Sequence, residues 1–267
     1  MSAESRARFA ELHARAEIFV MPNPWDAGSA KLLASVGAEA LATTSAGFAW
    51  TLGRLDGEVA REELVAHVAA VAEATDLPLN VDSERCYPDD PGGVAETVRL
   101  LGEAGAAGCS IEDWNPGDGR IEEQGLAVER VAEAAGAARA FDPPLVLTGR
   151  CENHLHGVDD LDDTIARLVA YRDAGADCLY APWLSSSDQI AAVVEAVAAP
   201  VNVLATPSTP PVPELARVGV RRVSTGSLLA SAAYGTLLVG ARELLSDGTS
   251  TYTGSGMKPT DRDAAFG

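Results

Sequence analysis

A short apolar run rich in β-branched residues is followed by an alanine-rich amphipathic stretch, and this alternation occurs eight times along the chain. The runs are IFVMP (18–22), ALATTSA (40–46), PLNVDSE (78–84), GCSIED (108–113), PLVLTGRCE (144–152), DCLYAP (177–182), PVNVLAT (200–206) and RRVSTG (221–226). Helical periodicity falls between them, near 26–36, 59–75, 92–105, 124–140, 159–174, 187–198, 213–218 and 227–245. GAEA (37–40), GAAGC (105–109) and GADC (175–178) each read as a helix ending on glycine and turning into the next strand. Strands that are continuously apolar and separated by helices belong to a parallel sheet covered on both faces. Eight βα units in 267 residues predict an α/β fold, a (β/α)8 TIM barrel, for which ~250 residues is typical. A doubly wound sheet would usually open on a glycine-rich fingerprint, and neither GxGxxG nor GxxxxGK[ST] occurs.

No linker divides the chain, so 1–267 reads as one domain. Its closing segment, 246–267 (SDGTSTYTGSGMKPTDRDAAFG), reads as a flexible tail or an arm that orders on a partner. Hydrophobic residues make up 47% of the chain, enough for a sizeable core. The net charge of −19 argues against nucleic acid or an anionic membrane as a partner. No apolar run approaches the ~20 residues of a membrane span, and MSAESRARFAELHARAE is a charged helical start unlike a signal peptide, so a cytoplasmic protein is expected. Cys86, Cys109, Cys151 and Cys178 form no CxxC pair, which fits reduced thiols and neither a zinc module nor a disulfide scaffold.

Active sites of such barrels lie at the C-terminal ends of the strands. The residues closing the runs here are acidic: Asp82 and Glu84 after the third, Glu112 and Asp113 after the fourth, Glu152 beside Arg150 after the fifth, with Asp56 in the loop after the second. Carboxylates gathered at one mouth repel unless a cation or a proton relieves them. Oxygen ligands without histidine or thiolate suit a hard ion, Mg²⁺ or Mn²⁺. Arg150 is then the natural fork for a substrate carboxylate or phosphonate.

These segments resemble the isocitrate lyase/phosphoenolpyruvate mutase superfamily over roughly residues 15–245. The resemblance is carried by NPWDAGSA, TTSAGFAWTLGRLDGE, NVDSE, SIED, GRCENHLHG and AGADCLYAP, in that order and each at a strand end. It implies Mg²⁺ held directly by Asp82 and through water by Asp56, Glu84 and Glu112. It also implies an α-keto acid carboxylate cradled by Thr44, Ser45 and Ala46, and substrate binding by Arg150. Trp25 and Asn202 complete the expected substrate-binding set, while Arg150, Glu112 and Asp56 are expected to serve the chemistry itself. The common chemistry makes or breaks a C–C or P–C bond beside a pyruvate-type enolate.

The departures bear on the reaction. Asp82-Ser83-Glu84-Arg85-Cys86-Tyr87 stands where the family usually has Asp-x-Asp-Gly-Tyr-Gly, and WNPGDGRIEEQG lacks both the lyase cysteine loop and the mutase gating-loop pattern. Cys151 is expected to pack behind its strand. His154 and His156 are expected to steady their loop, and Trp25, Trp50, Trp114 and Trp183 either wall the site or anchor loops. The expected function is a Mg²⁺-dependent carbon–carbon lyase or decarboxylase acting on a small α-keto or hydroxy diacid. The alternatives are a phosphonomutase or P–C hydrolase, and a catalytically lapsed barrel that binds a small acid. The partners expected are a small carboxylic acid and, as in the family, further copies of the chain in a dimer or tetramer.

Overall fold

The computed structural model describes residues 2–267. Its barrel strands are β1 (Phe19–Met21), β2 (Leu41–Ala42), β3 (Leu79–Asp82), β4 (Gly108–Glu112), β5 (Val146–Arg150), β6 (Cys178–Tyr180), β7 (Val201–Leu204) and β8 (Arg222–Ser224). All eight form one parallel sheet in the order β1-β8-β7-β6-β5-β4-β3-β2. No ladder joins β1 to β2, but two bonds bridge that seam. The Ala42 N–H donates to the Pro22 carbonyl at 3.1 Å, and Asn23 Nδ2 donates to the Thr43 carbonyl at 2.7 Å. The result is a nearly closed barrel, as the alternation predicts.

The helices between strands match the periodic segments to within a residue or two, for example Arg61–Ala74, Gln124–Ala138 and Leu161–Asp173. At the turns Gly105 and Gly175 stand at φ +110°, a conformation that favours glycine. A Cβ on Gly175 would meet Ala135 Cβ at 2.9 Å, so the short return to the strand also needs the missing side chain.

The larger core lies between the strands and the surrounding helices. A second cluster plugs the N-terminal end of the barrel, where helix Ser2–Ala14 inserts Phe9 and Leu12 against Phe19, Met21, Ala42 and Val146. Only the opposite mouth is left open. There the WNPGDGRIEEQG segment forms a small antiparallel ribbon, Trp114–Asn115 against Arg120–Ile121. Arg85 ties this ribbon to the end of β3, bonding Asn115 Oδ1 at 3.0 Å and approaching Glu122 at 3.2 Å.

Helix Leu228–Ser246 follows β8 but packs little of itself on the barrel, leaving Leu237, Leu238, Val239, Leu244 and Leu245 exposed. By length and composition it could cross a membrane. Its charge-free stretch nevertheless runs only from Leu228 to Ala241, before Arg242 and Glu243, and it continues directly from a barrel strand. Beyond it lie a 3₁₀ turn, Thr251–Ser255, and a helix, Pro259–Phe266, that returns to pack beside Ala27–Ser35.

Candidate active site

Strand alternation decides which side chains enter the barrel. Asp82 on β3, Glu112 on β4, Arg150 on β5, Tyr180 on β6 and Asn202 on β7 turn inward, whereas the intervening Val81, Ile111 and Gly149 face the helices. Asp113, one residue past Glu112, is turned outward and does not join the acids at the mouth. Its carboxylate accepts from Tyr171 Oη at 2.6 Å and from the Glu152 N–H at 2.8 Å.

A cavity of about 280 Å³ opens at the C-terminal mouth, lined on one side by Thr44, Ser45, Ala46 and Asp56 and on the other by Arg150 and Asn202. Asp82 stands at its centre and is held from three directions. Its N–H donates to Thr43 Oγ1 at 2.9 Å, Oδ2 accepts from the Ser45 N–H at 3.0 Å, and Oδ1 accepts from Arg150 Nη1 at 3.0 Å. Ser45 opens the short helix Ser45–Thr51, whose cap Thr44 accepts from the Gly47 N–H. The expected cradle is therefore a helix start abutting Asp82.

Arg150 is shared among three acids. Nη1 also lies 3.2 Å from Glu112, and Nε donates to the fully buried Glu152. The guanidinium sits over the Tyr180 ring, 5.5 Å from its centre. Glu84 is pushed up to about 7 by burial and by the charges of Asp56 and Asp82. Burial drives Glu112 well above the usual carboxylate range, against the pull of Arg150. Asp56 is exposed on the rim, yet partial withdrawal of its carboxyl from water and the charge of Asp82 also raise its pKa. One guanidinium does not neutralise these acids.

That shortage of positive charge is what a divalent ion would relieve, and the donors are all oxygens, as Mg²⁺ requires. Among the described residues, no three Asp, Glu, His or Cys side chains converge as a closed ligand set. The arrangement fits an ion that keeps most of its waters and touches one carboxylate directly; it does not fit a full protein cage.

Proton linkage follows with a definite sign. Glu84 keeps its proton in the fold up to about pH 7, while in the unfolded chain it has lost it near the ordinary 4.5. The folded state thus binds more protons between those values, and stability falls as pH rises through 7. The wild-type protein without metal should lose on the order of 1–2 kcal/mol relative to Glu84→Gln between pH 6 and 8.5, read by denaturant titration. The buried histidines are common to both proteins and cancel. Mg²⁺ affinity of the wild type should rise over the same interval, because the proton must leave first. A pH-independent difference between the two proteins would overturn this account.

Glu84, Cys86 and Tyr87 all adopt positive φ, 48°, 58° and 46°. The turn after β3 is thus left-handed without any glycine, and buried contacts hold it: Cys86 Sγ against Ser83 Oγ at 3.3 Å, and Tyr87 Oη on the Val59 carbonyl at 3.1 Å. Burial pushes the Cys86 thiol up to about 12. Cys151 is fully buried behind β5, as expected from alternation.

Of the tryptophans, Trp183 lines the cavity. Trp25 instead packs by Gly47, where an added Cβ would lie 3.2 Å from its own Cβ, and it is not among the lining residues. Trp50 meets Tyr234 edge-on, and Trp114 stacks on His156 with ring centres 3.4 Å apart. His154 lies 3.5 Å from Asp159, which, like the His156 stack, serves the loop. Glu84 and Glu112 stand behind Asp82 and Arg150, outside the cavity lining.

Sequence reasoning passed over Asn23, Tyr180, Ser224 and Arg222, all of which line the cavity. Asn23 Oδ1 accepts from the Thr225 and Gly226 N–H groups at 2.8 and 3.0 Å, fastening β8 to the β1–β2 seam. For Tyr180, Ser224 and Arg222 the available signal was a polar residue at an inward position of its run, and for Asn23 its place directly after the first run.

The phosphoenolpyruvate phosphomutase family model matches residues 9–245. The fold is similar to that of a "putative lyase/mutase" from Burkholderia cenocepacia J2315, with TM-score 0.93 and 50% identity over 98% of this chain and 96% of that one. A "putative phosphonomutase" from the same organism is 36% identical with TM-score 0.84, covering 93% of this chain and all of that one. An oxaloacetate decarboxylase of Paraburkholderia xenovorans is 32% identical over 76% of this chain and 69% of its own.

Proposed function

Because the chain belongs to the phosphoenolpyruvate mutase/isocitrate lyase superfamily, we propose that it is a Mg²⁺-dependent enzyme that breaks a carbon–carbon bond of a small α-keto diacid, with decarboxylation as the favoured reaction. The observation that carries this reading is the Asp82–Arg150–Glu112 cluster at the mouth of a cavity whose other wall is Thr44–Ala46. Asp82 would hold the ion directly and Asp56, Glu84 and Glu112 would hold its waters, and Mg²⁺ so placed supplies charge stabilisation to an enolate oxygen.

The roles of the chain's own residues follow. Ser45 and Ala46 grip the keto-acid carboxylate at the helix start, with Thr44 fixing that start. Arg150 Nη1, which bonds Asp82 and Glu112 at the mouth, is the donor that would meet a substrate oxygen. Asn202 borders the same space. Among the described residues, no cysteine, lysine or histidine lines the cavity. Tyr180 is the one phenol there, and burial drives its pKa up to about 12, so it is a weak acid. Loss of carbon dioxide from a β-keto acid needs no protein acid in the bond-breaking step, since water can protonate the enolate afterwards. Retro-aldol cleavage needs a base for the substrate hydroxyl. Asp56 lines the cavity and can take that proton. The lining favours decarboxylation only because it offers no ready proton donor for the carbanion that retro-aldol cleavage releases.

The second reading, phosphonomutase chemistry, is supported by the similarity to the B. cenocepacia phosphonomutase-type structure. The deciding experiment is a panel of α-keto, malate-like and phosphono acids, each assayed with and without Mg²⁺. Mg²⁺-dependent pyruvate release from oxaloacetate would uphold the first reading, and turnover of a phosphonate alone would replace it with the second. No thermal shift with Mg²⁺ plus oxalate, an enolate mimic, would overturn both and leave a lapsed barrel.

Helix Leu228–Ser246 exposes five large apolar side chains between Leu237 and Leu245, a concentration that marks an interaction surface. We propose that further copies of the chain cover it in a dimer or tetramer. Light scattering should report that mass, and charged substitutions at Leu237 and Val239 should lower it. A monomer at micromolar concentration would contradict this. Both the small-acid substrate and the cytoplasmic setting belong to this proposal.

A further inference from the structure

The cavity does not end at the acids. Cross-strand register steps from Glu112 to Arg150, Tyr180, Asn202 and then Arg222, and because barrel strands are tilted, each step around the wall also descends the axis. Arg222 lies at the bottom of that descent and lines the cavity at 2% exposure.

Its bonds are all to neutral groups: Nε to Asn202 Oδ1 at 2.9 Å, Nη1 to His13 Nε2 at 3.1 Å, and Nη2 to Thr148 Oγ1 at 3.0 Å. His13 Nδ1 is 2.8 Å from the Phe9 carbonyl, which can only accept, so Nδ1 carries the hydrogen and Nε2 is the acceptor toward Arg222. Burial and the Arg222 charge hold the His13 pKa down at about 3, so the ring is neutral. Among the described residues, no carboxylate bonds this guanidinium. Five N–H groups meet three partners, and a buried cation without a counter-charge is strongly unfavourable.

A second buried group on the same floor is also unmatched. Asn80, 4% exposed and lining the cavity two residues before Asp82, has no partner for Oδ1. Rotating its amide by half a turn would present the NH₂ instead, since the two faces are nearly isosteric. Around these groups the wall is small or hydroxylated: Ala42, Ser110 and Ser224, the last bonded by Asn202 Nδ2 at 2.8 Å. The floor is rich in donors and carries the Arg222 charge, beneath a mouth that is negatively charged.

We propose that Arg222, with Asn80, Asn202 and Ser224, forms an anion subsite at the base of the cavity that receives a compact acidic group. That group is either the far carboxylate or phosphonate of an elongated diacid whose keto-acid end sits at the mouth, or a free small anion. The diacid form rests on the function proposed above; the free-anion form does not.

Two ligands separate the floor from the mouth. Oxalate occupies the keto-acid end alone, whereas 2-oxoglutarate adds a second carboxylate on a flexible arm. With Mg²⁺ present, calorimetry should show Arg222→Met losing at least tenfold in affinity for 2-oxoglutarate while oxalate affinity stays within about twofold. Arg222→Lys should recover part of the loss. In the wild-type protein, millimolar phosphate should compete with 2-oxoglutarate and not with oxalate, a measurement that needs no variant to fold. If oxalate shows no Mg²⁺-dependent binding, the proposed function fails. A phosphate-induced thermal shift of the metal-free protein that Arg222→Met abolishes would still uphold the subsite as one for a free anion. Absence of phosphate competition together with absence of any phosphate shift would overturn the subsite.

Discussion

Asp82→Ala is expected to abolish Mg²⁺-dependent pyruvate release from oxaloacetate, by at least about 10³-fold, and to erase the thermal shift with Mg²⁺ plus oxalate. Among the described residues, Asp82 is the only acid on the cavity wall that bonds both the Arg150 guanidinium and the Ser45 N–H. It therefore links the cationic side of the site to the helix start that faces it. The fold should survive, because the substitution relieves an over-acidic cluster and leaves Arg150 with Glu112 and Glu152. A Tm within a few degrees of wild type would separate loss of function from unfolding. Asp82→Asn should be inactive as well, since it keeps the shape and the acceptor for Ser45 while discarding the charge. Appreciable Mg²⁺-dependent turnover by either variant would remove the metal-anchoring role.

Arg150→Met should produce the larger structural defect. The Glu152 side chain is 1% exposed and that of Glu112 10%, and both meet the Arg150 guanidinium. Removing the cation strands buried carboxylates beside one another, a loss of about 3–5 kcal/mol, or on the order of 10 °C in Tm for a domain this size. The sign of its pH dependence is fixed by the acids left behind. Glu152 is held up at about 6 by burial even with Arg150 present, and it would rise further without it. The defect should thus shrink at pH 5, where these acids are protonated, and be largest at pH 8. Scanning calorimetry at the two pH values tests this; an equal loss at both would mean that packing, and not charge, is what Arg150 contributes.

Much of this was legible in the residues. Eight apolar runs alternating with helical segments were enough to predict the barrel, and strand-end position put Asp82, Glu84, Glu112 and Arg150 on one list with Asp113 and Glu152. The left-handed turn of Glu84, Cys86 and Tyr87 was not legible, because glycine is the usual sign of such a turn and none is present. It survives on buried contacts that neighbours in space supply. Trp25 carried a strand-end signal yet packs by Gly47, since a loop residue's direction is set by the helix it borders.

What the sequence determined by itself is therefore local and periodic: the number and order of βα units, the outward or inward parity within each strand, and the supply of oxygen ligands at one end. Parity alone already separates Glu112 from Asp113. What only the tertiary structure decided is how far along the barrel axis each inward residue lies. That depth follows from strand tilt and register, which closure of the whole sheet imposes. It sets Arg150 among three acids at the mouth and leaves Arg222, equally inward and equally basic, at the floor with neutral partners only.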